Sequence, residues 1–440
     1  MKMRVRALLS LLLLLATMFL ANCGGGYTCN ATFGASTCTP SSGGLGSGGG
    51  GTGGTGGGGG GGGTGPTAFA YAIDENGTID GYVLNTSAAT FAAISGYQAP
   101  TVTVNGGGLG MVVAQSQFLY AAIGTANSIY GWSIDSTTGA LTAVPGSPYA
   151  APFLAFVSLT GFNQLSMITN PAGTLLFIAD AGDDEIWVYQ IGSGGALTAV
   201  AGSPFSTGTV SPTNLAIDGL GLYLYATSGT VLHEGTTSGI AAFSIGSGGS
   251  LGTLAPVVGS PFIFPVPMWA LQGEPSGTLM IGISGESIAA GATVDDKSLY
   301  VYSIQPSGTA PGALAEVTGS PFATTYPPFN IAVQPNSKNG EFVYSFGVND
   351  SALGYDPIEG YSIDTTTGAL ASITGSPFSG VTSSLWGQFD QTGDYLFFYS
   401  NINSTQLGVI DAAATTGALT ESLSPVTLVT PGYWAVTDPQ

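Results

Sequence analysis

The sequence predicts an all-β fold: a seven-bladed β-propeller of four-stranded antiparallel blades. Two observations carry this expectation. A phrase recurs at intervals of roughly fifty residues, a period typical of propellers and related arrays. Between its copies lie seven short apolar segments of strand character. The phrase reads TTGALTAVPGSPY at 137–149, GSGGALTAVAGSPF at 192–205 and TTTGALASITGSPF at 365–378. A glycine followed two residues later by leucine occurs at Gly139, Gly195, Gly249, Gly312, Gly368 and Gly417. Gly-Ser-Pro follows at Gly146, Gly202, Gly259, Gly319 and Gly375.

Each repeat divides into four strands. In the third, LSMITNP is strand A, LLFIAD strand B, EIWVYQI strand C and LTAV strand D. The turn glycines suit hairpins that demand positive φ. Strand D is the outer strand. Gly-Ser-Pro is expected to end it, because proline offers no N–H to a ladder. A short outer strand is also a poor template for pairing with another molecule. The aromatic that follows (Tyr149, Phe205, Phe262, Phe322 or Phe378) is expected to pack between neighbouring blades.

Seven strand-B segments begin near Thr67, Gln117, Leu175, Leu222, Thr278, Glu341 and Tyr395. Six follow a strand A, whereas the first follows only glycine. The segment YWAVTDP at 433–439 resembles FNIAVQP at 329–335. It is therefore expected to join the first three strands of blade 1 and close the ring. Closure matters because each blade packs only on its neighbours.

The propeller is assigned to 66–440. Ahead of it, residues 1–22 have a basic start and an apolar run, the pattern of a secretory signal. LANC at 20–23 resembles a bacterial lipobox, which makes Cys23 the lipidation site. Cys29 and Cys38, in the 23–40 segment, are expected to form a disulfide in an oxidising compartment. Residues 41–65 are nearly all glycine with serine and threonine and read as a flexible linker. The expected location is the bacterial cell envelope, lipid-anchored at the periplasm or cell surface, and otherwise secreted. The expected state is a monomer.

The YSID…TGAL…GSPF phrase at 361–378 and the NP-x-GT-x-x-FIAD segment at 170–180 resemble the lactonase family of seven-bladed propellers, which includes bacterial 6-phosphogluconolactonase-like proteins. The resemblance spans about 66–440 and implies the fold. It also implies lactone hydrolysis as one candidate activity, but related propellers serve many roles.

Charge narrows the partners. The chain carries 25 acidic and 5 basic residues, for a net charge of −20. Lys2, Arg4 and Arg6 stand at the extreme N-terminus, so only Lys297 and Lys338 remain beyond the signal. Phosphate backbones are bound by Lys and Arg, so nucleic acid is excluded as a partner. A phosphorylated substrate meets the same objection. The membrane is reached through an N-terminal lipid alone. A neutral sugar, a lactone or a protein partner fits better.

Strand parity puts the B–C and D–A loops on one face, and variable loops on a rigid scaffold are where binding concentrates. The long B–C loops are those of blades 4, 5 and 6. His233, the only histidine, and Glu234 are the catalytic candidates, as base and orienter in lactone opening. Trp269, Tyr326, Phe329, Tyr355 and Glu286 are the ligand-binding candidates. Asp295 and Asp296 are the candidate calcium ligands; no other cofactor is expected. Asp183, Asp184 and Glu185, and likewise Asp350, Asp356 and Glu359, read as solvated acidic turns. Three functions stay open: a ligand-binding propeller, a lactone hydrolase, and a structural envelope protein without ligand.

Overall fold

The computed structural model describes residues 27–32, 35–40, 67–73, 77–86, 90–102, 109–123, 126–151, 158–159, 162–163, 165–228, 239–284, 296–335, 341–347, 358–378, 386–390, 392–400, 406–421, 423, 425–427 and 433–436. The chain divides into two units, Met1–Gly62 and Gly63–Gln440. In the first, Tyr27–Thr32 pairs antiparallel with Ala35–Pro40, and Cys29 and Cys38 are direct cross-strand partners. The signal, Cys23 and the glycine tract lie outside the described residues.

The second unit is a seven-bladed propeller. The strand-B segments are Thr67–Ile73, Phe118–Ile123, Leu175–Asp180, Tyr223–Ser228, Leu279–Ser284, Glu341–Gly347 and Tyr395–Ser400. Each lies second in an antiparallel sheet of order A-B-C-D. Tyr433–Val436 supplies strand A of blade 1, with Ile73 opposite Tyr433 and Ala70 opposite Val436. The ring closes as the sequence predicts.

Strand B is apolar on both faces because both are buried. In blade 3, Leu176 and Ile178 face blade 2, whereas Leu175, Phe177 and Ala179 face blade 4. Seven buried clusters follow, one in each interface of the ring. The cluster between blades 7 and 1 sets Phe397, Leu407 and Val409 against Ala68, Ala70 and Leu84.

The repeated phrase now has a physical account. In blade 2, Asp135 Oδ1 accepts the N–H groups of Thr137 and Thr138 at 3.0 and 2.8 Å, and Gly139 N–H returns to Asp135 O at 2.8 Å. Gly139 has φ +68, and a Cβ there would lie 2.5 Å from Phe69 of blade 1. Its carbonyl accepts the Tyr71 hydroxyl of blade 1 at 2.7 Å. The same latch joins Tyr120 to Gly195 at 2.7 Å, Tyr225 to Gly312 at 3.0 Å and Tyr344 to Gly417 at 2.8 Å. The turn glycine thus serves two needs: a left-handed turn and close approach to the preceding blade. In blade 4 the structure corrects the alignment. A one-turn helix at Gly248–Ser250 lengthens the turn, so the glycine that packs on Leu175 of blade 3 is Gly252, ahead of Leu254, and not Gly249.

Gly-Ser-Pro interrupts the outer strand and does not end it. The serine Oγ accepts a strand-C N–H in five blades: Ser147 from Gly131, Ser203 from Val188, Ser260 from Ala242, Ser320 from Val301 and Ser376 from Gly360, all at 2.8–3.1 Å. Each Ser–Pro bond is cis. The following aromatic pairs again with strand C: Tyr149 lies opposite Ile129, Phe205 opposite Ile186 and Phe322 opposite Leu299. As expected, these rings also lie against the inter-blade clusters.

Candidate functional site

The loop face is built from the ends of strands B, the starts of strands A, and the segments that lead into them. His233, Glu234, Glu286, Asp295 and Tyr355 lie outside the described residues, in the B–C loops of blades 4, 5 and 6. The structure places the other candidates. Trp269 and Phe329 stand near the starts of strands A in blades 5 and 6, Met268–Gly273 and Pro328–Val333. Both are bulged residues. Met268 pairs with Ser284 and Ala270 with Ile283, so Trp269 is the extra residue between them. Pro328 pairs with Gly347 and Asn330 with Phe346, which leaves Phe329 in the same position one blade on. A bulge re-aims a side chain, and bulges are frequent beside active sites. Both aromatics are half-buried. Trp269 lies against the cluster between blades 5 and 6, and its carbonyl accepts the Thr227 hydroxyl of blade 4 at 3.0 Å.

Tyr326 belongs to the segment entering blade 6. Its backbone N–H and that of Thr325 donate to the Glu359 carboxylate at 3.2 and 3.0 Å. Glu359 is only 4% exposed. It is therefore a buried clamp on the D–A segment, and the expectation of a solvated turn is corrected. Asp184 is likewise engaged: its carboxylate accepts the Ser211 hydroxyl at 2.6 Å, which ties two loops of the same face. Asp296 accepts the Tyr300 hydroxyl at 2.9 Å. Among the described residues no three His, Cys, Asp or Glu side chains gather as metal ligands. Sequence reasoning also missed the buried polar ends of strands B in blades 3, 4 and 5, where Asp180, Ser228 and Ser284 follow apolar runs.

The opposite face carries a second set that sequence reasoning did not single out. The residue ending strand A clamps the A–B turn. Asn170 Oδ1 accepts the N–H groups of Thr174 and Leu175, both at 2.8 Å. Asp218 does the same for Leu222 and Tyr223 at 2.7 and 2.5 Å. Glu274 Oε1 accepts from Thr278 and Leu279 at 2.6 and 3.0 Å. The signal was present as an acid or amide shortly ahead of each strand B.

Glu274 also meets Glu341 of blade 6. Burial, then the hydrogen bond to Glu274 and its charge, push Glu341 from the usual 4.5 up to about 8. Burial raises Glu274 as well, but hydrogen bonds from Glu341, Ser276 and Thr278 outweigh it and hold this carboxyl below its ordinary value. Two carboxyl groups in hydrogen-bond contact must share a proton. Glu341 carries it.

No family model matches the chain, and no curated relative matches it. Solved structures do. One is a "putative 6-phosphogluconolactonase" from Bacteroides uniformis, 16% identical, covering 84% of this chain and 99% of that one, with a TM-score of 0.59. A protein of the same description from Bacteroides fragilis is 16% identical, covers 86% and 99%, and gives a TM-score of 0.57. The periplasmic gluconolactonase PpgL of Pseudomonas aeruginosa is 13% identical, covers 84% and 99%, and gives 0.52. At these identities the likeness establishes architecture. The chain has the seven-bladed propeller fold of these lactonase-like structures.

Proposed function

We propose that the chain is an exported, lipid-anchored propeller that binds a neutral sugar or lactone through its loop face. The observation that carries this reading is the pair of bulged aromatics, Trp269 and Phe329, at equivalent positions of adjacent blades. Aromatic faces stack on the C–H faces of sugars, and carboxylates accept their hydroxyls. The net charge of −20 selects against anionic ligands. Export and anchoring rest on residues 1–23, and the disulfide on the cross-strand register of Cys29 and Cys38. Replacing Cys23 by alanine should move the protein from the membrane to the soluble fraction; unchanged partition would refute the anchor.

Lactone hydrolysis is the second reading, favoured by the names of the structural neighbours. The deciding assay is a panel of neutral and phosphorylated lactones, followed by pH-stat titration, with His233→Ala as control. Binding of neutral members without turnover supports the first reading. Turnover abolished by His233→Ala establishes the second. Preference for phosphorylated members would overturn the charge argument.

A further inference from the structure

Ser166, Asn214 and Asn330 hold the same register position at the start of strand A in blades 3, 4 and 6, and each is a small polar side chain. Two of them sew their blade to the next one at the axis. Ser166 Oγ accepts Leu215 N–H at 2.9 Å, and Asn214 Oδ1 accepts Leu271 N–H at 3.3 Å. Asn330 breaks the series. The equivalent donor is Gly387 N–H, yet Asn330 Oδ1 is buried without a hydrogen-bond partner on a side chain only 9% exposed. Ser284 Oγ is in the same condition on a side chain 1% exposed. An unmet buried polar atom is destabilising, and each one in a native protein calls for an explanation. Here the inter-blade stitch, the ordinary structural use of this position, is not made.

Both orphaned atoms adjoin the bulges. Ser284 lies opposite Met268, the residue before Trp269. Asn330 directly follows Phe329. Each bulge thus sets one half-buried aromatic beside one unmet polar atom. Nearby, Glu359 fixes the Thr325–Tyr326 backbone of the segment that leads into Phe329.

We infer that the loop-face mouth of blades 5 and 6 binds an uncharged, hydroxyl-bearing ring, one hydroxyl donating to Asn330 Oδ1 while Trp269 and Phe329 cover its C–H face. This inference rests on the neutral-ligand reading above and gives it a place and a selecting atom. An amide oxygen accepts a hydroxyl proton and demands no charge of its ligand.

The test titrates the full chain with methyl β-D-glucopyranoside and with D-glucono-1,5-lactone, read by tryptophan fluorescence and saturation-transfer NMR. The wild type, Asn330→Leu, Trp269→Leu and Phe329→Leu are compared. Binding to at least one probe is expected, weakened about tenfold by Asn330→Leu, as for loss of one hydrogen bond. The melting temperature of Asn330→Leu should equal or exceed that of the wild type, because an unmet polar atom has been removed. Binding that survives Asn330→Leu and both aromatic variants overturns this site and leaves the neutral-ligand reading standing. A wild type that binds neither probe overturns both. An Asn330→Leu protein that melts lower or does not fold shows that the amide serves the core, and it also overturns the inference.

Discussion

The tyrosine latches make a sharp prediction at Tyr120. Its ring is wholly buried and its hydroxyl donates to Gly195 O of the next blade at 2.7 Å. Tyr120→Phe keeps the ring and deletes only the donor. Phenylalanine already fills this strand-B position in blade 3, as Phe177, and in blade 7, as Phe397, so the ring fits the architecture. The net value of such a bond is about 0.5–1.5 kcal/mol, and a buried carbonyl left unmet adds a penalty of about 1–3 kcal/mol when nothing replaces the donor. A loss of about 1–2 kcal/mol is expected. Urea unfolding followed by both tryptophan fluorescence and circular dichroism measures it. With m near 3 kcal/mol/M, the midpoint should fall by roughly 0.5 M at unchanged slope. Tyr130→Phe is the control. That ring stacks on Trp132 at 6.0 Å and makes no latch. Equal midpoints for Tyr120→Phe and wild type would refute the latch as a stabilising contact. Phe177→Tyr, which puts a hydroxyl at the equivalent strand-B position of blade 3, should shift the midpoint the other way.

Other perturbations have equally definite outcomes. Between pH 4.5 and about 8 the folded protein holds a proton on Glu341 that the unfolded chain releases. This contribution is fully present below 4.5 and is lost as pH rises through 8. Melting temperature should therefore fall from pH 5 to 8 in the wild type more than in Glu341→Gln, and parallel curves would refute the shared proton. Gly312→Ala puts a Cβ 2.3 Å from Tyr223 Cδ1 at φ +85. It should cost about 2–4 kcal/mol from strain and overpacking, measured by the same urea assay. Deleting residues 433–440 removes strand A of blade 1 and bares the edge Ala70–Ile73. Gel filtration should show aggregation or an expanded chain, whereas a monomer melting like the wild type would contradict closure through that strand.

Much of the fold was legible because strands advertise themselves locally. Apolar runs, turn glycines and the stray YWAV segment gave the blade number and the closure. Pairwise meetings were not legible. Tyr71, Tyr120, Tyr225 and Tyr344 recur at one strand-B position, but their partners lie 68–87 residues away in the next blade. Glu359 reads as a solvated acid until its two N–H donors are seen, and the Gly248–Ser250 turn disguises the true register of blade 4. For the site, Trp269, Tyr326 and Phe329 were found as aromatics near variable loops. Asn330 was passed over. An amide in an apolar strand carries no signal until its unmet oxygen is set against the satisfied Ser166 and Asn214.

The interfaces are not equally tied. Those between blades 3 and 4 and between 5 and 6 lack a tyrosine latch, but Ser166 and Gln272 bridge them near the axis. The seam between blades 7 and 1 sets Phe397 and Leu407 against Ala70 and Leu84, and a hydrogen bond joins Tyr395 of blade 7 to Thr86 of blade 1. Tyr433–Val436, which completes blade 1, leaves the ribosome only after the other propeller strands. Six blades can therefore take shape during synthesis while the first waits, three strands wide, for that segment to emerge. The apolar faces of that seam suit the late arrival. Such faces tolerate a late docking, after which the bond from Tyr395 to Thr86 holds the two blades in register.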